Sequence, residues 1–141
     1  MSRARYLKPG FFTNERVGDL APIDRLAWQG LWCLADREGR LKDRPRRLKI
    51  EVLPWDDVDM NTLLQTLHDK GFVIRYEVAG EHYLSIPSFH EHQSPHPNEP
   101  QRLIPPPPDD LYRLPPSVTS PNGALVESSR PQEEALVESS R

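Results

Sequence analysis

Cysteine is almost missing from this chain: Cys33 is the single thiol among 141 residues. Neither a disulfide framework nor a cysteine-based zinc cluster can be built from it, and a reducing compartment is expected. Long apolar runs are missing as well. No stretch approaches the roughly eighteen residues of a membrane-spanning helix, and the opening MSRARYLKPG has no apolar core before Pro9. No membrane span and no secretory leader is therefore expected, which leaves the cytoplasm as the default location. There is no large excess of one charge, since 18 Lys and Arg stand against 21 Asp and Glu for a net of −3. Taken alone, that total does not suggest a nucleic-acid binder. The chain also lacks a G-x-S-x-G elbow, a P-loop, a dinucleotide fingerprint and a convincing carboxylate pair, so no enzyme, catalytic residue or cofactor is expected.

What is present is unevenly distributed. Of the sixteen prolines, twelve lie from Pro87 onward, whereas all three tryptophans, all four phenylalanines and three of four tyrosines lie in residues 1–90. A core must therefore be built from the first ninety or so residues. The boundaries expected are a domain over 1–99 and a disordered, Pro-rich and repetitive tail over 100–141. That tail contains four successive prolines, an extended spacer, and the string ALVESSR twice, at 124–130 and 135–141. Such a polar repeat cannot bury enough surface to fold by itself.

The segment Pro22 to Arg37 reads as a helix with proline in its first turn, Asp24 near its positive end and Gly39 as its stop. A continuous arc holds Leu26, Ala27, Gly30, Leu31, Cys33, Leu34 and Ala35, with Arg25, Gln29 and Asp36 opposite. Trp28 and Trp32 form a ridge on the flank of that arc. Its expected cover is Tyr6, Phe11 and Phe12, followed by a short helix from about Asn14 to Leu20 capped by Thr13 or Asn14; a homodimer interface is the alternative. One short strand fits Gly39 to Asp43. RPRRLKIEVLP has an ambiguous period, and Pro45 and Pro54 favour a short helix bounded by them. Asp59 caps a further helix that buries Met60, Leu63, Leu64 and Leu67 and stops at Gly71. FVIRYEV and EHYLSIP then alternate apolar and polar residues around Ala79-Gly80, the pattern of a β-hairpin. Helix, strand, helix, helix, hairpin is the order of a winged helix-turn-helix domain, an α+β fold with a three-helix core and a hairpin wing.

Within this frame the charge is local. Between Arg37 and Lys49 seven basic residues face two acids, a net of +5 in thirteen residues, while Asp56, Asp57 and Asp59 form an acidic cluster soon after. On the winged-helix reading Arg44, Arg46, Arg47 and Lys49 meet phosphates. Asn61, Thr62 and Gln65, with Thr66, suit base edges. Arg75 contributes from the wing, with His82 beside it, and the arm residues Arg3, Arg5 and Lys8 hold the backbone. His90, His92 and His96 have a spacing compatible with a divalent metal, and Glu91 or Glu99 would add a carboxylate, but the segment is broken by proline and lacks a second cluster. The preferred reading is that these His and Gln side chains pack the post-hairpin segment onto the domain, and no metal is assigned.

The strings ARYLKPGFFTNE, GLWCLADREGRLKDRPRRLK, DDVD and GFVIRYEVAGEHYLSIPSFHEHQSPHP together resemble the N-terminal winged-helix domain of phage and prophage replication proteins, of the replisome-organiser or replication-initiator type. The resemblance covers about residues 4–99. It implies double-stranded DNA as partner, a role at a phage replication origin in the bacterial host cytoplasm, and a helical RPRRLKIEVLP. It brings no catalytic residues. Many relatives carry a further C-terminal region for helicase or loader contacts, where this chain has its Pro-rich tail, so contacts with replication proteins would have to run through that tail. A phage transcriptional regulator, or a protein-interaction module that uses the Trp28/Trp32 ridge and the tail without binding DNA, are the alternatives.

Overall fold

A computed structural model describes residues 2–99 and 104–108. The tail expected to be disordered lies, apart from 104–108, outside the described residues. The architecture is α+β. Among the described residues there are α1 (Gly10–Thr13), α2 (Glu15–Gly18), α3 (Pro22–Leu34), β1 (Arg40–Lys42), α4 (Pro45–Val52), α5 (Met60–Asp69), β2 (Ile74–Val78), β3 (Glu81–Ser85) and α6 (Phe89–His92). The strands form one antiparallel sheet in the order β1-β3-β2. No helix among these residues is long and apolar enough to cross a membrane.

Local chemistry sets most of the boundaries. Asn14 caps α2 by accepting from the backbone N–H of Arg16 and Val17, and Asp59 caps α5 by accepting from Thr62 N–H at 3.2 Å. RPRRLKIEVLP is helical, with Pro45 in the first turn of α4, where its missing N–H costs nothing. Ala79 and Gly80 both have positive φ, 52° and 83°, the two-residue turn whose twist matches a hairpin.

The spine helix departs from expectation at its end. It stops at Leu34 instead of Arg37 because the Asp36 carboxylate accepts from the N–H groups of Glu38 (2.9 Å) and Arg40 (3.0 Å). That side chain offers the backbone a turn in place of further helix. Asp36 is consequently buried, not exposed opposite the core. Gly39, at φ 79°, sits inside this turn, where a Cβ would lie 2.6 Å from Phe89 Cβ, so both its conformation and its close approach require glycine.

The buried face of α3 is also rotated towards its tryptophans. It comprises Ala27, Trp28, Leu31, Trp32 and Leu34, while Leu26 is half exposed. Of the three aromatics expected to cover the ridge only Phe11 does so, packing 6.1 Å from Trp28 and 5.7 Å from Trp32 between ring centroids. Tyr6 and Phe12 are 65% and 70% exposed. Adjacent residues of one short helix point about 100° apart, so Phe11 and Phe12 cannot both face inward. Phe72 supplies the rest at 4.8 Å from Trp28, and His92 stacks on Trp32 at 5.4 Å and 16°. The ridge is core and offers no surface to a second copy.

A clasp closes the domain across its ends. Arg5 donates to both carboxylate oxygens of Glu99, at 2.9 and 2.8 Å, and to the Trp32 and Ala35 carbonyls at the end of α3, at 3.1 and 3.0 Å. Its guanidinium also lies over the Phe89 ring. Bidentate pairing and neutralisation of a helix C-terminus are both favourable. Beside it the Gln93 amide accepts from Tyr6 N–H and donates to Tyr6 C=O, both at 2.8 Å.

Candidate nucleic-acid interface

The exposed side of α5 carries Asn61, Thr62, Gln65 and Asp69, since Met60, Leu63, Leu64 and Leu67 take the buried side. Polar side chains that could reach base edges are thus on one helix face, as their spacing requires.

Arg75 brings the surrounding pieces together. Its guanidinium donates to both oxygens of Asp43, at 2.7 and 3.1 Å. It donates also to Asn61 Oδ1 at 2.8 Å, to the Asn61 carbonyl at 3.2 Å and to Gln65 Oε1 at 3.2 Å. The Arg75 backbone N–H is held by His68 Nδ1 at 3.0 Å. Asp43 immediately precedes Arg44 and α4, so one planar fork joins the start of α4, the polar face of α5 and strand β2. Arginine can only donate, and this dictates that the oxygens of the Asn61 and Gln65 amides turn towards it. Gln65 Nε2 is further engaged by Asp69 Oδ1 at 2.9 Å. Arg75 therefore has its hydrogen-bonding capacity committed inside the protein, with its side chain only 18% exposed.

The basic run divides according to what each residue touches. The side chains of Arg44 and Arg46 are exposed, with no ion pair or side-chain hydrogen bond among the described residues. Arg47 pairs with Glu51 one turn on, at 3.2 Å, a contact of small worth at an exposed site. Lys49 is half-buried and donates to the Leu53 carbonyl at 3.3 Å, so its charge is spent at the C-terminus of α4. Arg37 and Arg40 turn away to the chain beyond the hairpin, donating to Pro97 and Ile104 carbonyls at 3.1 and 3.5 Å. Arg5, expected on the arm as a phosphate contact, is instead the buried clasp described above; the carbonyls at the end of α3 and the Glu99 carboxylate satisfy it more fully than solvent would.

The three imidazoles of 90–96 are not brought to one point. His90 faces Glu38 at 3.7 Å, His92 is stacked on Trp32, and His96 Nδ1 accepts from Asn98 N–H at 3.0 Å. Burial pushes the His92 pKa down, against the pull of Glu91, which keeps the stacked ring neutral at physiological pH. Glu99 moves the other way: hydrogen bonding from Arg5 holds its carboxyl below the usual range despite burial.

Sequence reasoning passed over Trp55, whose side chain is 94% exposed in the turn between α4 and α5. Its only sequence signal is its place between Pro54 and Asp56, outside every apolar period. Ile50, on α4, is exposed as well. No protein-family model, curated protein or solved structure matches the chain.

Proposed function

We propose that this protein is a winged-helix module that binds double-stranded DNA, with α5 as the reading helix and the start of α4 as its phosphate contact. The observation that carries the reading is the Arg75 fork, which sets Asn61 and Gln65 beside Asp43, one and three residues before Arg44 and Arg46, whose side chains have no ion pair or hydrogen bond among the described residues. Exposed guanidinium groups next to a helix face of short polar side chains match the division of labour in duplex recognition, where cations hold the backbone and amides or hydroxyls meet base edges. In this arrangement Arg75 positions the reading side chains and makes no phosphate contact of its own. Asp56 and Asp57, in the turn between α4 and α5, disfavour phosphate there, so the phosphate contact is assigned to Arg44 and Arg46. The sequence resemblance supports placing this activity in phage or prophage replication initiation, within the host cytoplasm.

Titrating the full chain against duplex DNA at several salt concentrations tests the reading. Affinity is expected to fall steeply with salt, and an Arg44→Ala/Arg46→Ala variant to show a shallower log–log slope by about 2 units, close to one per lost phosphate contact. Binding that is absent, or indifferent to salt, rejects it.

A further inference from the structure

The sheet has a second buried face that the main core does not reach. Register places Arg40, Ser85 and Ile74 in one row and Lys42, Tyr83 and Tyr76 in the next, on the side opposite Leu41 and Leu84, which join the core. Ile74, Tyr76 and Ser85 are nevertheless buried, although Ile74 and Tyr76 are not part of the core cluster. Tyr76 and Tyr83 lie side by side, ring centroids 5.6 Å apart. Against this face lies the segment 104–108, Ile-Pro-Pro-Pro-Pro, with Ile104 and Pro107 buried. Tyr76 Oη donates to the Pro105 carbonyl at 2.7 Å, and Arg40 Nη1 to the Ile104 carbonyl at 3.5 Å.

Four successive prolines have no N–H to offer a sheet edge. They can be recognised only through their carbonyls and ring faces, by donors set among aromatic side chains. The outer face of the sheet supplies both. We infer that it is a binding site for a polyproline II peptide, and that its resident ligand is this chain's own 104–108 segment, held as a strap in cis. Arg75 and Tyr76 are consecutive in β2 and point to opposite faces, so the strap site and the α5 patch are separate. The inference stands whether or not the protein binds DNA.

The test uses a fluorescent peptide of residues 101–109, QRLIPPPPD, and the full chain. A tethered strap competes at an effective concentration of about 1 mM, so the wild type is expected to show no binding at peptide concentrations well below that. An Ile104→Asp/Pro107→Ser variant, with its strap released, is expected to bind the peptide at least tenfold more tightly than the wild type. Adding Tyr76→Phe should weaken that binding several-fold, and a peptide with serine in place of the four prolines should not bind. Ile104→Ala is a milder release and should show the same order at smaller amplitude, which keeps the test decisive where the double variant does not fold. Equal binding to wild type and released chains, no binding to either released chain, or equal binding of the serine peptide would overturn the assignment. A wild type that is a dimer, and becomes monomeric when the strap is released, would overturn the cis arrangement.

Discussion

Glu99→Ala is expected to destabilise the domain by about 3 kcal/mol, because it leaves the Arg5 guanidinium buried without its counter-charge. For a domain of this size that corresponds to a fall of about 15 °C in Tm, measurable by thermal denaturation followed by circular dichroism. An Arg5→Met/Glu99→Leu double variant should recover much of the loss, since apolar replacement removes both desolvated charges together. The pair also gives stability a pH dependence of known sign. The folded pKa of Glu99 is depressed, so in acid the unfolded chain binds the proton more readily than the folded one. The contribution is complete above the ordinary glutamate range and is lost as pH falls through the lower folded value. A Glu99→Ala protein as stable as the wild type at pH 7, or a difference that grows on acidification, would contradict this account of the clasp.

The second large effect concerns Arg75. Arg75→Met removes every hydrogen bond of the fork and leaves Asp43, whose side chain is 5% exposed, without a partner. A stability loss of about 2 kcal/mol is expected. Arg75→Lys retains the charge but has no planar fork, so it cannot hold Asp43, Asn61 and Gln65 at once. If α5 reads bases, the lysine variant should fold and keep the wild-type salt slope while losing about tenfold in discrimination between a selected site and random duplex, a change within the range for one bidentate base contact. A slope reduced by about 1 unit with discrimination intact would instead make Arg75 a phosphate contact.

The parts legible in sequence were those governed by neighbours in sequence. Pro45 and Pro54 bracket α4, Asp59 caps α5, and Ala79-Gly80 turns the hairpin, each through interactions spanning a few residues. Asp36 shows how such signals compete: Gly39 marked a plausible helix stop, but an aspartate side chain three residues earlier captured the backbone first. Contacts across the chain leave no periodicity to read. Arg5 and Glu99 are 94 residues apart, and nothing near Arg5 distinguishes a clasp from an exposed arm. The same holds for Arg75, which looks like an exposed strand residue until Asp43 and Asn61 are placed beside it. Ile104 was averaged into a proline-rich tail because burial against the outer sheet face depends on Tyr76 and Arg40, not on its own neighbours. On the candidate interface, the polar face of α5 was visible from helical spacing, while the division of the basic run into exposed Lys42, Arg44 and Arg46 and engaged Arg37, Arg40, Arg47 and Lys49 required the fold.

The central claim is that the start of α4 and the polar face of α5 form one duplex-binding surface. Amide chemical-shift mapping of the isotope-labelled full chain, during titration with a duplex at low salt, tests it most directly. The account predicts perturbations concentrated at Arg44 to Arg47, Asn61 to Thr66 and Arg75, with the strap and the Arg5–Glu99 clasp unchanged. Perturbations confined to the outer sheet face, or none at a duplex concentration equal to that of the protein, would contradict it.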